Sequence, residues 1–214
     1  MDAIEQETCV RFKTRTYESD YVNIYSGKYC KSNLGRTGGA QDLSLNTIKC
    51  FQKGIIIHEL LHALGYIHMH SRPDRDKHVD VVWKNIDPRF FKDFDKVSPA
   101  MFNYYGTPYD YYSIMHYSPL AFSKNGKRTI IPRDKSFADA IGQRGGLSAG
   151  DIKRINTKYR CSADKPNKIF STYGASYIKE KPKSNLRLYP IFKHKPKPLP
   201  QATKDNDDDD LFNI

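Results

Sequence analysis

His58-Glu59-Leu60-Leu61-His62-Ala63-Leu64-Gly65-Tyr66-Ile67-His68 is the stretch on which the reading of this chain turns. It closes an apolar run from Gln52 to Leu64, in which Ile55, Ile56, Ile57, Leu60, Leu61, Ala63 and Leu64 leave almost no polar face except the histidines and Glu59. Such a run predicts a helix that is buried rather than lying on the surface. Gly65 predicts its end, because glycine suits the left-handed position just past the last turn. On a helix, residues four apart share a face about 6 Å apart along the axis. His58 and His62 can therefore converge on one Zn²⁺ at Zn–N distances of about 2.0–2.1 Å. Glu59 stands beside such a metal without ligating it, and the turn at Gly65 brings His68 back as a third ligand. Three neutral histidines leave an open position for water, whose pKa the metal lowers and whose proton Glu59 can take and pass to a leaving amine. The expected chemistry is metal-assisted hydrolysis of a peptide bond, with one zinc per chain. Satisfied core histidines are the bland rival, and burying three of them with a carboxylate and no partner is costly.

Outward from this helix the chain is less regular. Residues 2–8 read as the end of an amphipathic helix, and Val10-Arg11-Phe12 and Tyr21-Val22-Asn23-Ile24-Tyr25 read as strands broken by Glu18-Ser19-Asp20. Gly27, Gly35 and Gly38-Gly39 punctuate turns around a third extended piece near Cys30–Leu34. From Tyr66 to Cys161 the chain is rich in Pro, Asp and aromatics with few periodic runs. Ala149–Arg160 is the clearest late helix there, with Ser148 as N-cap and Asp151 at the third helical position, the arrangement of a capping box. His70, His78, His116 and His194 lack a ligand spacing and read as surface or packing residues.

Of 214 residues 13% are aromatic, enough for a packed core in one domain, and the formal charge is +11. Nine of the Lys and Arg residues fall between 162 and 200, and six of the twelve prolines fall between 162 and 214, which also holds the acidic run Asp207–Asp210. The segment 162–214 is expected to be a disordered tail, since it cannot bury enough apolar surface to offset its ordering entropy. The expected domain is 1–161. Four cysteines, Cys9, Cys30, Cys50 and Cys161, have none of the close pair spacings of a zinc finger, which makes disulfides in one of three pairings the leading reading, with free buried thiols as the alternative. No stretch has the apolar length of a membrane span or the look of a signal peptide.

The run His58–His68, the following Arg72-Pro73-Asp74-Arg75-Asp76 and the later Tyr111-Tyr112-Ser113-Ile114-Met115-His116-Tyr117 together resemble the astacin family of metzincin metalloproteases, a likeness extending from about Thr8 to Cys161. The resemblance implies that Met115 forms a hydrophobic floor under the three histidines and that Tyr117 is a switchable fifth zinc ligand that stabilises the oxyanion. It implies the pairings Cys9–Cys161 and Cys30–Cys50, hence a secreted protein, and an edge strand at Cys30–Leu34 that pairs with extended substrate. The chain departs from the family pattern at Met69, where a glutamate is usual, and at Lys31, where an aromatic is common. It begins inside the first helix of the resembled domain, without the preceding strand.

The expected fold is α+β and metzincin-like, in two subdomains: an upper half with a twisted mixed sheet and the zinc helix, and an irregular lower half with one late helix, plus the tail. The expected function is zinc-dependent endopeptidase action on protein or peptide substrates, with acidic side chains weakly favoured by the basic balance. An inactive zinc-binding matrix or interaction protein is the rival from another class. Nucleic-acid binding by the basic segment is disfavoured, since no aromatic-basic module accompanies it. The sequence leaves the oligomeric state open.

Overall fold

The computed structural model describes residues 1–161; the tail expected at 162–214 lies outside the described residues. Three helices and five short strands follow in the order α1 (Asp2–Glu7), β1 (Tyr21–Tyr25), β2 (Lys31–Ser32), β3 (Ala40–Ser44), α2 (Lys53–Ala63), β4 (Val79–Val81), β5 (Ile130–Pro132) and α3 (Ala149–Lys158), with 3₁₀ turns through the second half. β3 lies at the centre of a mixed sheet, parallel to β1 and antiparallel to β2, with Lys31 opposite Ser44 and Ser32 opposite Leu43. β4 and β5 form a separate antiparallel pair.

Two apolar clusters divide the domain. The first gathers Ile4, Leu43, Ile57, Leu61, Ile114, Met115 and Ile155 from both ends of the chain around α2 and the sheet. The second gathers Met69, Val79, Ile86, Phe94, Tyr117, Phe122 and Ile130. The chain first passes from one cluster to the other directly after His68, and returns to the first at Ile114–Met115 and again in α3. This is the two-subdomain α+β architecture expected from the sequence, with the candidate site where the halves meet, except that α3, expected in the irregular half, sends Ile155 into the first cluster beside α2.

α2 is held at both ends. Gly54 sits so close to the loop before α3 that a Cβ on it would lie 1.8 Å from the Arg144 carbonyl oxygen. At the other end Gly65 takes φ +82°. Its N–H donates to the His62 carbonyl (2.8 Å) and that of Tyr66 to the Leu61 carbonyl (3.0 Å), the paired bonds of a Schellman cap. Lys158 of α3 donates to the Leu64 and Gly65 carbonyls, 2.6 and 3.1 Å, and so satisfies the acceptors just past the helix end. Gly54→Ala forces backbone apart at a site with no flexible neighbour to give way. It is expected to destabilise the domain by about 1–3 kcal/mol, the usual cost of overpacking, read as a lower midpoint in urea or thermal unfolding.

The late helix has the expected cap in full: Ser148 accepts from the Asp151 N–H and Asp151 accepts from the Ser148 N–H. The four cysteines form the bridges Cys9–Cys161 and Cys30–Cys50, with Cα separations of 5.4 and 5.7 Å. The first joins residues 152 apart in sequence, a closure that contributes about 4–5 kcal/mol in the chain-entropy model.

Two further expectations are corrected. Val10-Arg11-Phe12 is not a strand, because its hydrogen bonds run back to α1. Val10 N–H donates to Thr8 Oγ1 (3.2 Å), Phe12 N–H to Glu5 Oε1 (2.7 Å), and Arg11 Nη1 to the Glu5, Thr8 and Val10 carbonyls. The extended piece at Cys30–Leu34 narrows to the strand Lys31–Ser32; the Asn33 N–H still donates to the Asp42 carbonyl (3.3 Å), and the chain bends away at Leu34.

Candidate metal centre

His58 and His62 project from one face of α2, and the Schellman turn returns the chain so that His68 meets them. The three Nε2 atoms form a near-equilateral triangle with separations of 3.2, 3.1 and 3.1 Å. His58 Nδ1 lies 2.8 Å from the Ile114 carbonyl oxygen and His62 Nδ1 lies 2.9 Å from that of Tyr66. A carbonyl only accepts, so both Nδ1 atoms carry the proton and both Nε2 atoms present bare lone pairs. Burial pushes the pKa of His58 and His68 well below the ordinary value, and that of His62 to about 4, which keeps all three rings neutral.

Neutral imidazoles aimed at a common point repel unless a cation accepts their lone pairs. A tetrahedral zinc spaces its nitrogen ligands by roughly 3.3–3.4 Å, close to the observed triangle. His58, His62 and His68 could hold such an ion, and they are the sole group of three or more His, Cys, Asp or Glu residues among those described whose ligand atoms converge in this way.

Glu59 follows His58 on the helix and is 1% exposed, yet its Oε2 has no hydrogen-bond partner among the described residues. Burial raises its pKa to about 8, opposed by the positive charge of Arg144. Tyr117 is buried, with its ring centroid 4.3 Å from that of His68, and burial raises its pKa, so it stays a neutral phenol able to donate. Met115 is fully buried in the first cluster, and its carbonyl accepts from the Met69 N–H (2.8 Å). Glu59, His62, His68 and Tyr117 line one cleft with Lys31 and Ser32, so β2, a sheet edge, forms one of its walls.

Of the remaining histidines, His70 and His116 are packing residues with specific jobs. His70 Nε2 donates to the Asp93 carbonyl (2.9 Å), while His116 Nδ1 donates to the Tyr117 carbonyl (2.8 Å) and its Nε2 accepts from Tyr109 (2.9 Å). His78 is half-buried and stacks on Tyr109. His194 lies outside the described residues. One residue that sequence reasoning passes over is Arg144. Its guanidinium acts electrostatically on Glu59 and Tyr117, its Nη1 donates to the His116 carbonyl (3.1 Å), and its Nε and Nη2 are buried without partners among the described residues. Nothing in its sequence surroundings separates it from the many solvated basic residues.

A buried helix carrying two histidines and a glutamate, and a third histidine returned by a glycine turn, form a site that could hold one metal ion beside a cleft edged by an open strand. The model of the Astacin peptidase family matches residues 1–160, and the chain belongs to that family. It is 45% identical over 168 residues to Zinc metalloproteinase nas-6 of Caenorhabditis elegans, covering 78% of this chain and 48% of that protein. It is 49% identical over 165 residues to Zinc metalloproteinase nas-14 of the same organism, covering 75% and 32%. Among solved structures it is similar to High choriolytic enzyme 1, a hatching enzyme zinc-protease from Oryzias latipes, with a TM-score of 0.72, 46% identity and coverage of 76% of this chain and 80% of that one. The chain spans about half or less of the length of these two curated relatives.

Proposed function

We propose that this chain is a zinc-dependent endopeptidase that hydrolyses internal peptide bonds of proteins. The observation that carries the reading is Glu59: a carboxylate with an unpartnered buried oxygen, set one residue from the first of three converging imidazoles and lining the same cleft. Zinc held by His58, His62 and His68 would supply a Lewis acid that acidifies water and polarises the scissile carbonyl. Arg144 and the cation would favour the ionised form of Glu59, which takes a proton from the attacking water and returns it to the departing amine. Tyr117 offers its hydroxyl to the carbonyl oxygen as charge develops there. Lys31 and Ser32, at the free edge of β2, pair with the extended substrate backbone. Met115 packs beneath the histidines as part of the first core.

The two disulfides suit an oxidising compartment, and secretion is part of the proposal. Among the described residues no helix is long and apolar enough to cross a membrane. Incubating the zinc-loaded chain with a peptide library at neutral pH tests the activity. Zinc binding without cleavage of any peptide would favour the inactive zinc-binding reading in its place.

A further inference from the structure

The capping box of α3 contains more than a cap. Asp151 is 1% exposed and lies in the first turn of α3, and its carboxylate reaches into the turn that ends at Tyr117. Oδ2 accepts from the Ser148 N–H (3.0 Å) and also from the Ile114 N–H (2.8 Å). Oδ1 accepts from the Ser113 hydroxyl (2.7 Å) and from Arg154. The Ser113 oxygen in turn accepts from the Met115 N–H (3.1 Å) and from Arg154 Nη2 (2.9 Å).

These bonds fix both peptide planes that flank Ile114. The 113–114 plane is held through the Ile114 N–H, directly by the carboxylate. The 114–115 plane is held through the Met115 N–H, by the hydroxyl that the carboxylate orients. The acceptor carried by that second plane is the Ile114 carbonyl, which binds His58 Nδ1 at 2.8 Å. The aim of the His58 ring and the choice of its protonated nitrogen thus descend from one carboxylate on another helix.

We propose that Asp151 is a positioning residue for the metal centre, acting through Ser113 and the Ile114 backbone to hold His58 with Nε2 bare and directed at the ion. A helix cap needs only the Ser148–Asp151 exchange, and the carboxylate's two further bonds to Ser113 and Ile114 serve no capping purpose. α3 steadies His62 in parallel: the Tyr66 carbonyl accepts from His62 Nδ1, while the Tyr66 hydroxyl donates to the Arg154 carbonyl (3.2 Å). The inference rests on the zinc reading given above and adds to it the residue that tunes the site.

The test compares zinc affinity, measured by competition with a chromophoric chelator on the full chain, and the visible spectrum of the Co²⁺-substituted protein. Outer partners of metal-ligating histidines typically contribute about 10–100-fold in affinity. Asp151→Asn is expected to weaken zinc by that factor and to shift the cobalt bands, with the far-ultraviolet circular dichroism retained. Ser148→Ala removes the capping hydroxyl and its bond to Asp110 Oδ2 (2.5 Å) but leaves the bonds of the Asp151 carboxylate to Ser113 and Ile114, so it is expected to lower the unfolding midpoint while zinc affinity stays at the unmodified value. A folded Asp151→Asn chain with unchanged affinity and spectrum overturns the proposal, as does a Ser148→Ala chain that loses as much affinity. If Asp151→Asn does not fold, Ser113→Ala reads the same link while keeping the ion pair with Arg154. A severalfold weaker affinity supports the link there, and unchanged affinity overturns it. An unmodified chain that takes up no zinc would instead overturn the metal reading itself, and this inference with it.

Discussion

Glu59→Ala is expected to leave one zinc bound and the fold intact while cutting peptide hydrolysis by about 10³–10⁴-fold. Glu59 stands next to the ligand His58, but its carboxylate is not part of the imidazole triangle. Metal content and unfolding midpoint should therefore match those of the unmodified chain. Loss of a general base costs about 10²–10⁴-fold, and the upper part of that range applies because the same carboxylate also returns the proton to the leaving amine. The substitution also removes a buried carboxylate whose Oε2 has no partner among the described residues, so no hydrogen bond is lost with that oxygen and stability should hold steady. The measurements are metal stoichiometry, thermal unfolding and turnover of one cleavable peptide. Undiminished turnover would place the chemistry elsewhere, and loss of zinc would make Glu59 a ligand rather than a base.

Stripping the metal should have the other large effect, and it should appear in stability as well as in activity. Dialysis against a strong chelator leaves three bare Nε2 atoms about 3 Å apart in a buried site, with no cation to hold them together. A ligand present at a thousand times its dissociation constant stabilises the folded state by about 4 kcal/mol. For a domain of this size that corresponds to a fall in unfolding temperature of roughly 8–16 °C. Hydrolysis should become undetectable, and both properties should return when zinc is restored, because the two disulfides preserve the chain's connectivity. A chelated chain with the activity and midpoint of the untreated one would refute the metal reading.

The parts of this architecture that could be read from the chain are those whose causes are local. α2, its glycine end and the convergence of His58, His62 and His68 are written within a few turns of backbone, where apolar content, a φ-permissive residue and histidine spacing act together. The cap of α3 is legible for the same reason, since Ser148 and Asp151 satisfy each other. What was not legible depends on partners far along the chain. β3 contributes only Leu43 as a strong apolar residue to the core, and its strand character comes from lying between β1 and β2. β4 and β5 are three residues each and exist only as a pair. At Val10–Phe12 the alternating pattern is genuine, but side chains of α1 and its cap captured the amides first. Met115 and Tyr117 carry no spacing signal toward the histidines, so only family resemblance pointed to them. Arg144 lacked even that guide, because its unpartnered donors are a property of the folded environment.

The bridge from Cys9 to Cys161 also determines how the domain meets mechanical load. It fastens the coil just after α1 to the coil just after α3, and α2, the sheet and the cleft all lie on the chain between these two cysteines. Tension applied through residues before Cys9 and after Cys161 runs across a covalent sulfur–sulfur bond and bypasses the hydrogen-bonded structure between them. Load entering just before Cys9 and leaving just after Cys161 would thus bypass the segment that carries the metal site for as long as the bridge stays oxidised.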